Sequence, residues 1–223
     1  MRGACIVVVG YLASAGVASA SPDEVAFAEA LVHTRHVEGV PYVDARGLTP
    51  AGVGRLIEML ADPAESRHRV RIVMALGMSG SERAYPALAA FHAERPVGEV
   101  DSAHYLARRS LPLAMGYLAR SDPRALGFLL EAALGDDADA PPAWSFRHLR
   151  GERLAGVLRR AAISGLAISG RPEAAAALQE LEAGLDARTS DELRVHVREA
   201  RSLCGRVMRE GPERVFETLG RSR

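Results

Sequence analysis

His33 and His36 stand three residues apart, with Asp44 close behind. Imidazoles at that spacing share one face of a helix and are natural ligands for a first-row metal. A third and fourth ligand at a recognisable spacing are missing, so the pair reads as solvated histidines at a helix end, and no metal or cofactor is expected. Asp136, Asp137 and Asp139 crowd three carboxylates ahead of Pro141-Pro142-Ala143-Trp144. A calcium loop needs a glycine turn and a bidentate glutamate in frame, and neither is present. Nucleophiles are equally isolated. Ser79, in Met78-Ser79-Gly80, ends a helical pattern instead of forming a strand-to-helix elbow. Cys204 shares an apolar stripe with Leu193, Val197, Ala200 and Met208, the setting of a small buried hydrophobe and not of an activated thiolate. His92 and His196 fall inside periodic segments, and no phosphate-binding loop or zinc-protease motif occurs. No catalytic residue is therefore expected.

Binding chemistry is better represented. Arginines cluster at Arg67-His68-Arg69 with Arg71, at Arg108-Arg109, at Arg147-His148 with Arg150 and Arg153, and at Arg159-Arg160. Stacked on one face, Arg67, Arg71, Arg108, Arg109 and Arg160 would form a stripe for a polyanion or nucleic acid. Glu58, Glu65, Glu82, Glu131, Glu152 and Glu199 are interspersed, and 28 cationic residues balance 28 acidic ones, so the chain has no global field. Solvated helix faces explain the clusters better. The only Trp, Trp144, lies beside Phe146 in the longest break of the periodic pattern. It either pins that loop or offers an aromatic anchor to a partner.

The elements that position these residues are helices. Aromatic residues are 5% of the chain, and Ala and Leu abound, which favours helix over sheet. Val25, Phe27, Ala28 and Leu31 predict a first helix from Asp23 to about His33, and His36 to Arg46 reads as irregular. Thr49-Pro50 opens a helix carrying Val53, Leu56, Ile57 and Leu60, a capping hydroxyl followed by proline at the first position. Val70, Val73, Met74 and Gly77 follow at helical spacing, widened by Ile72 and Leu76. Gly80 then stops the helix, and Ser81 is expected to cap one bearing Tyr85, Leu88, Ala89 and His92 on its apolar face. Asp101 or Ser102 opens a long helix, which Pro112 should kink. Asp122-Pro123 opens its partner. A loop spans 135–151. A third long helix carries Leu154 to Ile168, ends at Gly170, and is followed from Pro172 by its own partner. Thr189-Ser190-Asp191-Glu192 is a capping box for a fourth long helix, and Val215 to Leu219 should close the chain. The expected core is Leu76, Leu88, Leu113, Leu129, Leu158, Ile168, Leu178 and Leu203.

The helix pairs are related in sequence. Ala75-Leu76-Gly77-Met78-Ser79-Gly80 aligns with Gly165-Leu166-Ala167-Ile168-Ser169-Gly170, and Ala114-Met115-Gly116-Tyr117 fits the same frame. Small residues in this frame are expected to let the two helices of a pair approach. Leu56 to Pro63 resembles the end of one repeat, Arg69 to Gly77 the first helix of the next, and Ala84-Tyr85-Pro86-Ala87-Leu88 its second helix. On these stretches the chain resembles the bacterial HEAT-like repeats, the type named from phycobilisome lyases. The unit around Gly116 departs at its turn, and the last unit lacks the Ala-Leu-Gly signature. The resemblance implies an all-α, short right-handed solenoid of HEAT-like helix pairs over residues 49–210, interrupted by the loop at 135–151.

The start of the chain reads as an address. Arg2, the apolar run Ile6 to Leu12 and Ala18-Ser19-Ala20 before Ser21-Pro22 have the layout of a secretory signal peptide over residues 1–20. Its removal would take Cys5 and leave Cys204 without a disulfide partner, and no membrane span would remain. Residues 21–48 are an N-terminal helix and irregular lead-in, and 211–223 a short cap. Together these features predict an exported protein, periplasmic or secreted, that acts as a non-catalytic protein-interaction or scaffold module. Arg83, Arg124, Glu173 and Gln179, from helices lining a shallow groove, and Trp144 and Phe146, from the loop, are the expected partner-binding residues. The alternatives are a polyanion or nucleic-acid binder and, from the name of the repeat family alone, a lyase-like enzyme.

Overall fold

The computed structural model describes residues 21–36, 39–185 and 190–215. The expected signal peptide, Thr189 of the capping box and most of the closing cap lie outside the described residues. Helices dominate: α1 (Pro22–His33), α2 (Tyr42–Arg46), α3 (Pro50–Ala61), a 3-10 segment (Pro63–His68), α4 (Arg69–Ser79), α5 (Ala84–Ala93), α6 (Ser102–Leu118), α7 (Pro123–Leu134), α8 (Glu152–Ser169), α9 (Pro172–Gly184) and α10 (Asp191–Glu210). Two short strands, β1 (Gly98–Glu99) and β2 (Trp144–Ser145), join the loops before α6 and α8. No helix among the described residues is long and apolar enough to cross a membrane.

Side-chain caps set several helix starts. The Thr49 hydroxyl accepts from the Gly52 amide, a carboxylate oxygen of Asp101 from His104 at 2.7 Å, and one of Asp122 from Arg124 at 2.9 Å. Ser190 caps α10 by accepting from Leu193. Gly80 and Gly170 end α4 and α8 with φ of 66° and 56°, the left-handed conformation that glycine adopts without strain. One start differs from expectation. Ser81 accepts from Arg83 inside the turn, and α5 begins only at Ala84. Its buried face is accordingly Ala84, Leu88 and Phe91.

Helices α4, α6, α8 and α10 pack in sequence as one layer, with α5, α7 and α9 on the other side and α3 and α1 continuing the stack at the N-terminal end. The second helices are neighbours, as expected. His92 of α5 meets the Phe128 ring of α7 edge-on at 4.8 Å, and α7 also contacts α9.

The aligned triplets explain how the first layer closes. A Cβ on Gly77 would strike the backbone of Ala114, and one on Gly116 would strike the backbone of Gly165. The third residue of each triplet thus abuts the first residue of the next. Small residues therefore bring successive first helices into backbone contact, and not the two helices of a pair, because those first helices are the most tightly packed neighbours. Pro112 sits inside α6, which continues through it, and its carbonyl forms the wall against Gly165.

Leu76, Leu88, Leu129, Ile168 and Leu178 are buried as expected. Leu113 and Leu203 are only half-buried at the margin of this core and Leu158 at that of a smaller cluster around Trp144; α6 directs Leu111, Met115 and Leu118 inward instead of Leu113. Phe27 is exposed, and α1 buries Ala28, Leu31 and Val32. The lead-in is less irregular than its sequence suggests, since 42–46 is helical and Ala45 is fully buried. Residues 212–215 begin a helical turn that buries Val215.

Candidate functional site

The second helices present their first turns along one edge, where Arg83 and Arg124 stand. An arginine beside a helix N-terminus opposes the helix dipole unless acceptors offset it. Acceptors are supplied here. Arg83 donates to the Pro50 carbonyl at 2.9 Å, tying α5 to the start of α3. Arg124 pairs with Asp122 at 2.7 Å, reaches the Glu82 carbonyl and lies over the Tyr85 ring at 4.7 Å, tying α7 to α5. Glu173 pairs with Arg171 at 3.1 Å, and Gln179 is exposed on α9. Two expected binding residues thus bridge neighbouring helices while staying accessible at the surface.

Asp122 is buried, and hydrogen bonds from the Arg124 side chain hold its carboxyl below the usual range against the opposing effect of burial. The folded-state value therefore lies below the unfolded one. The resulting stability is complete above the ordinary carboxyl range and is lost as pH falls through the folded value. Asp122→Asn keeps a good N-cap and removes the charge. It should flatten the acid limb of a urea-melt stability profile below about pH 4. A variant profile parallel to the wild-type one would show that the pair contributes nothing.

At the opposite ends of these helices, the 135–151 loop is bound down. β1 and β2 pair in parallel, Gly98 with Trp144 and Glu99 with Ser145. Trp144 is only 6% exposed and packs with Tyr105 and Leu154. Of the two readings of Trp144, burial fits the staple and goes against its place among the partner-binding residues: the indole pins the loop, because the parallel pairing turns it onto α6. Phe146 is half-buried and stacks on Tyr105 with ring centroids 4.2 Å apart and planes within 7°. The Arg147 guanidinium covers Phe146 at 5.0 Å.

Arg108 is also structural. It is 7% exposed and donates to the carbonyls of Phe91, His92 and Glu94, with its guanidinium 5.2 Å from the Phe91 ring and 5.9 Å from Trp144. It caps the C-terminus of α5, where a cation is favoured, and cannot face a polyanion. Arg71 donates to the Thr34 carbonyl, while Arg67 and Arg109 are exposed. The Arg160 carbonyl accepts from His196 Nε2 at 3.0 Å, with the Ser164 hydroxyl 3.2 Å from the same ring nitrogen. Cys204 is fully buried, and burial raises its thiol pKa. The Ser79 hydroxyl donates back to the Leu76 carbonyl.

The histidines assemble differently from their sequence spacing. His36 turns to the Leu31 carbonyl at 3.1 Å, and Asp44 is exposed on α2. His33, at the end of α1, instead meets Glu65 at 2.9 Å, and its ring lies 4.6 Å from that of His68. Glu65 and His68 lie in the 3-10 segment, whose three-residue turn eclipses i and i+3. Burial first, then the nearby His33 and Arg71 charges, lower the His68 pKa. Glu65-x-x-His68 is visible in the sequence, but only the approach of the end of α1 to this segment adds His33. No protein-family model matches the chain, and no curated protein matches it.

Proposed function

We propose that the chain is a right-handed solenoid of HEAT-like helix pairs, exported from the cytoplasm, that holds a folded protein partner and catalyses no reaction. The observation that carries this reading is the mixed charge along α7, α9 and the turn before α5. Exposed Arg83 and Arg124 stand there among exposed Glu82, Glu131 and Glu173, with exposed Gln179 and small residues between them. Interleaved signs suit the equally mixed surface of a folded protein better than a polyanion. The reading also rests on the repeat motif and on Ala18-Ser19-Ala20 before Ser21. Trp144 is no part of the proposed surface, and Phe146 contributes only at its rim.

The test is chemical crosslinking in the native envelope fraction, with wild type beside Glu131→Arg and Gln179→Arg. A stoichiometric protein partner that both variants lose, together with a mature chain starting at Ser21 by mass spectrometry, is the expected result. Retention on heparin or DNA that weakens steeply with salt would favour the polyanion reading instead, since each neutralised phosphate releases counterions. Full-length protein confined to the cytoplasm would overturn export.

A further inference from the structure

We infer that His33, Glu65 and His68 form a binding site for a borderline divalent metal ion, with Zn2+ as the reference ion. One ligand atom from each residue lies within 4.8 Å of the other two. Ligands held tetrahedrally at zinc distances are about 3.3 Å apart. Rotation of surface side chains is enough to close that difference. The backbone supplies two fixed platforms: Glu65 and His68 share one face of the 3-10 segment, and His33 projects from the last residue of α1. The donor set, two imidazoles and one carboxylate, matches three-ligand zinc sites that leave a fourth position to water or a partner's group. Solvent reaches the cluster, since the His33 side chain is 43% exposed.

Two arginines oppose the ion and make the proposal specific. Arg67 Nε lies 3.0 Å from His68 Nε2, and an Arg71 terminal nitrogen lies 2.6 Å from His68 Nδ1. A neutral imidazole has one lone pair in its plane and one N–H. It can therefore accept from only one of the two guanidiniums. When His68 ligates through Nε2, Arg67 must leave that nitrogen. Its exposure allows the move into water. Nδ1 then carries the proton, so the Arg71 nitrogen 2.6 Å from it must also turn aside, while the other terminal nitrogen of Arg71 keeps the Thr34 carbonyl at 3.2 Å as an acceptor. A dication at the cluster is repelled by both arginines, so removing Arg67 relieves both repulsion and competition.

The experiment is calorimetric titration of the purified full chain with Zn2+ alone in a non-chelating buffer. One saturable site is expected. His33→Ala, His68→Ala and Glu65→Gln should each weaken it by more than about tenfold, whereas Arg67→Ala should tighten it severalfold. Circular dichroism on each variant checks the fold. An independent readout uses the wild-type chain, whose His33 and His68 ring-nitrogen resonances should shift together on adding Zn2+. Binding that survives all three ligand substitutions, or ring-nitrogen signals that do not move at saturation, would place the ion elsewhere. Absence of saturable binding would leave His33–Glu65 a simple side-chain contact and overturn the proposal.

Discussion

Replacing Trp144 by alanine should lower stability by about 3–5 kcal/mol, the range for truncating a buried aromatic side chain. The indole is 6% exposed and shares a small cluster with Tyr105 and Leu154, separate from the main core. The cluster has few other members to fill the gap, so the site cannot readily collapse. Arg108 adds to the effect. Its guanidinium lies near the Trp144 and Phe91 rings while it satisfies the last carbonyls of α5, and removing one ring hydrates a charge that the fold keeps nearly dry. The backbone pairing of Gly98 with Trp144 should then fray. Urea denaturation followed by far-ultraviolet circular dichroism measures the change, because the substitution removes the only Trp. Trp144→Phe should recover much of the loss. A change within about 0.5 kcal/mol, the usual range for surface substitutions, would mean that the ring is not part of the packing. Loss of a partner by Trp144→Ala with an unchanged melt would restore the anchor role.

The second large effect is at Gly116. Helix propensity alone favours replacing this glycine, because glycine is the least helical residue apart from proline. Packing reverses the sign. The side chain of Gly116→Val would sit against the carbonyl, carbonyl carbon and Cα of Gly165, atoms that move only if α6 and α8 separate. The expected loss is about 3 kcal/mol or more, at or beyond the upper end of overpacking effects. Gly127, on α7, is the control. Nothing lies within 4 Å of a Cβ placed there, so Gly127→Ala should stabilise by up to about 1 kcal/mol. Chemical denaturation of the two variants in parallel decides the matter. Equal small gains at both positions would show that the first helices are not in backbone contact.

Helix positions were legible where local chemistry is strong. Thr49-Pro50, Asp101, Asp122-Pro123, Gly80 and Gly170 mark boundaries because a capping oxygen, a fixed proline φ or a left-handed glycine acts within a few residues. The same signal misled at Ser81, whose hydroxyl satisfies a turn amide as readily as a helical one. The segments 42–46 and 63–68 were not legible as helices. They are too short to show a period, and α2 is held by burial of Ala45 in the core.

Residue spacing along one chain was enough for the predominantly helical class, most helix boundaries, the shared triplet frame and the stripe of Val197, Ala200 and Cys204, although Met208, expected on the same stripe, is exposed while Val207 is buried. Tertiary structure alone decided which helices the triplets join, whether Trp144 and Arg108 face solvent or core, and which residues accompany His33. Those outcomes depend on contacts between segments far apart in the chain: Gly116 with Gly165, Arg108 with the carbonyls ending α5, and α1 with the 3-10 segment. A side chain's periodicity tells which way it points from its own helix. It does not tell what stands opposite, and for a glycine, an arginine or a histidine the opposing group sets the role.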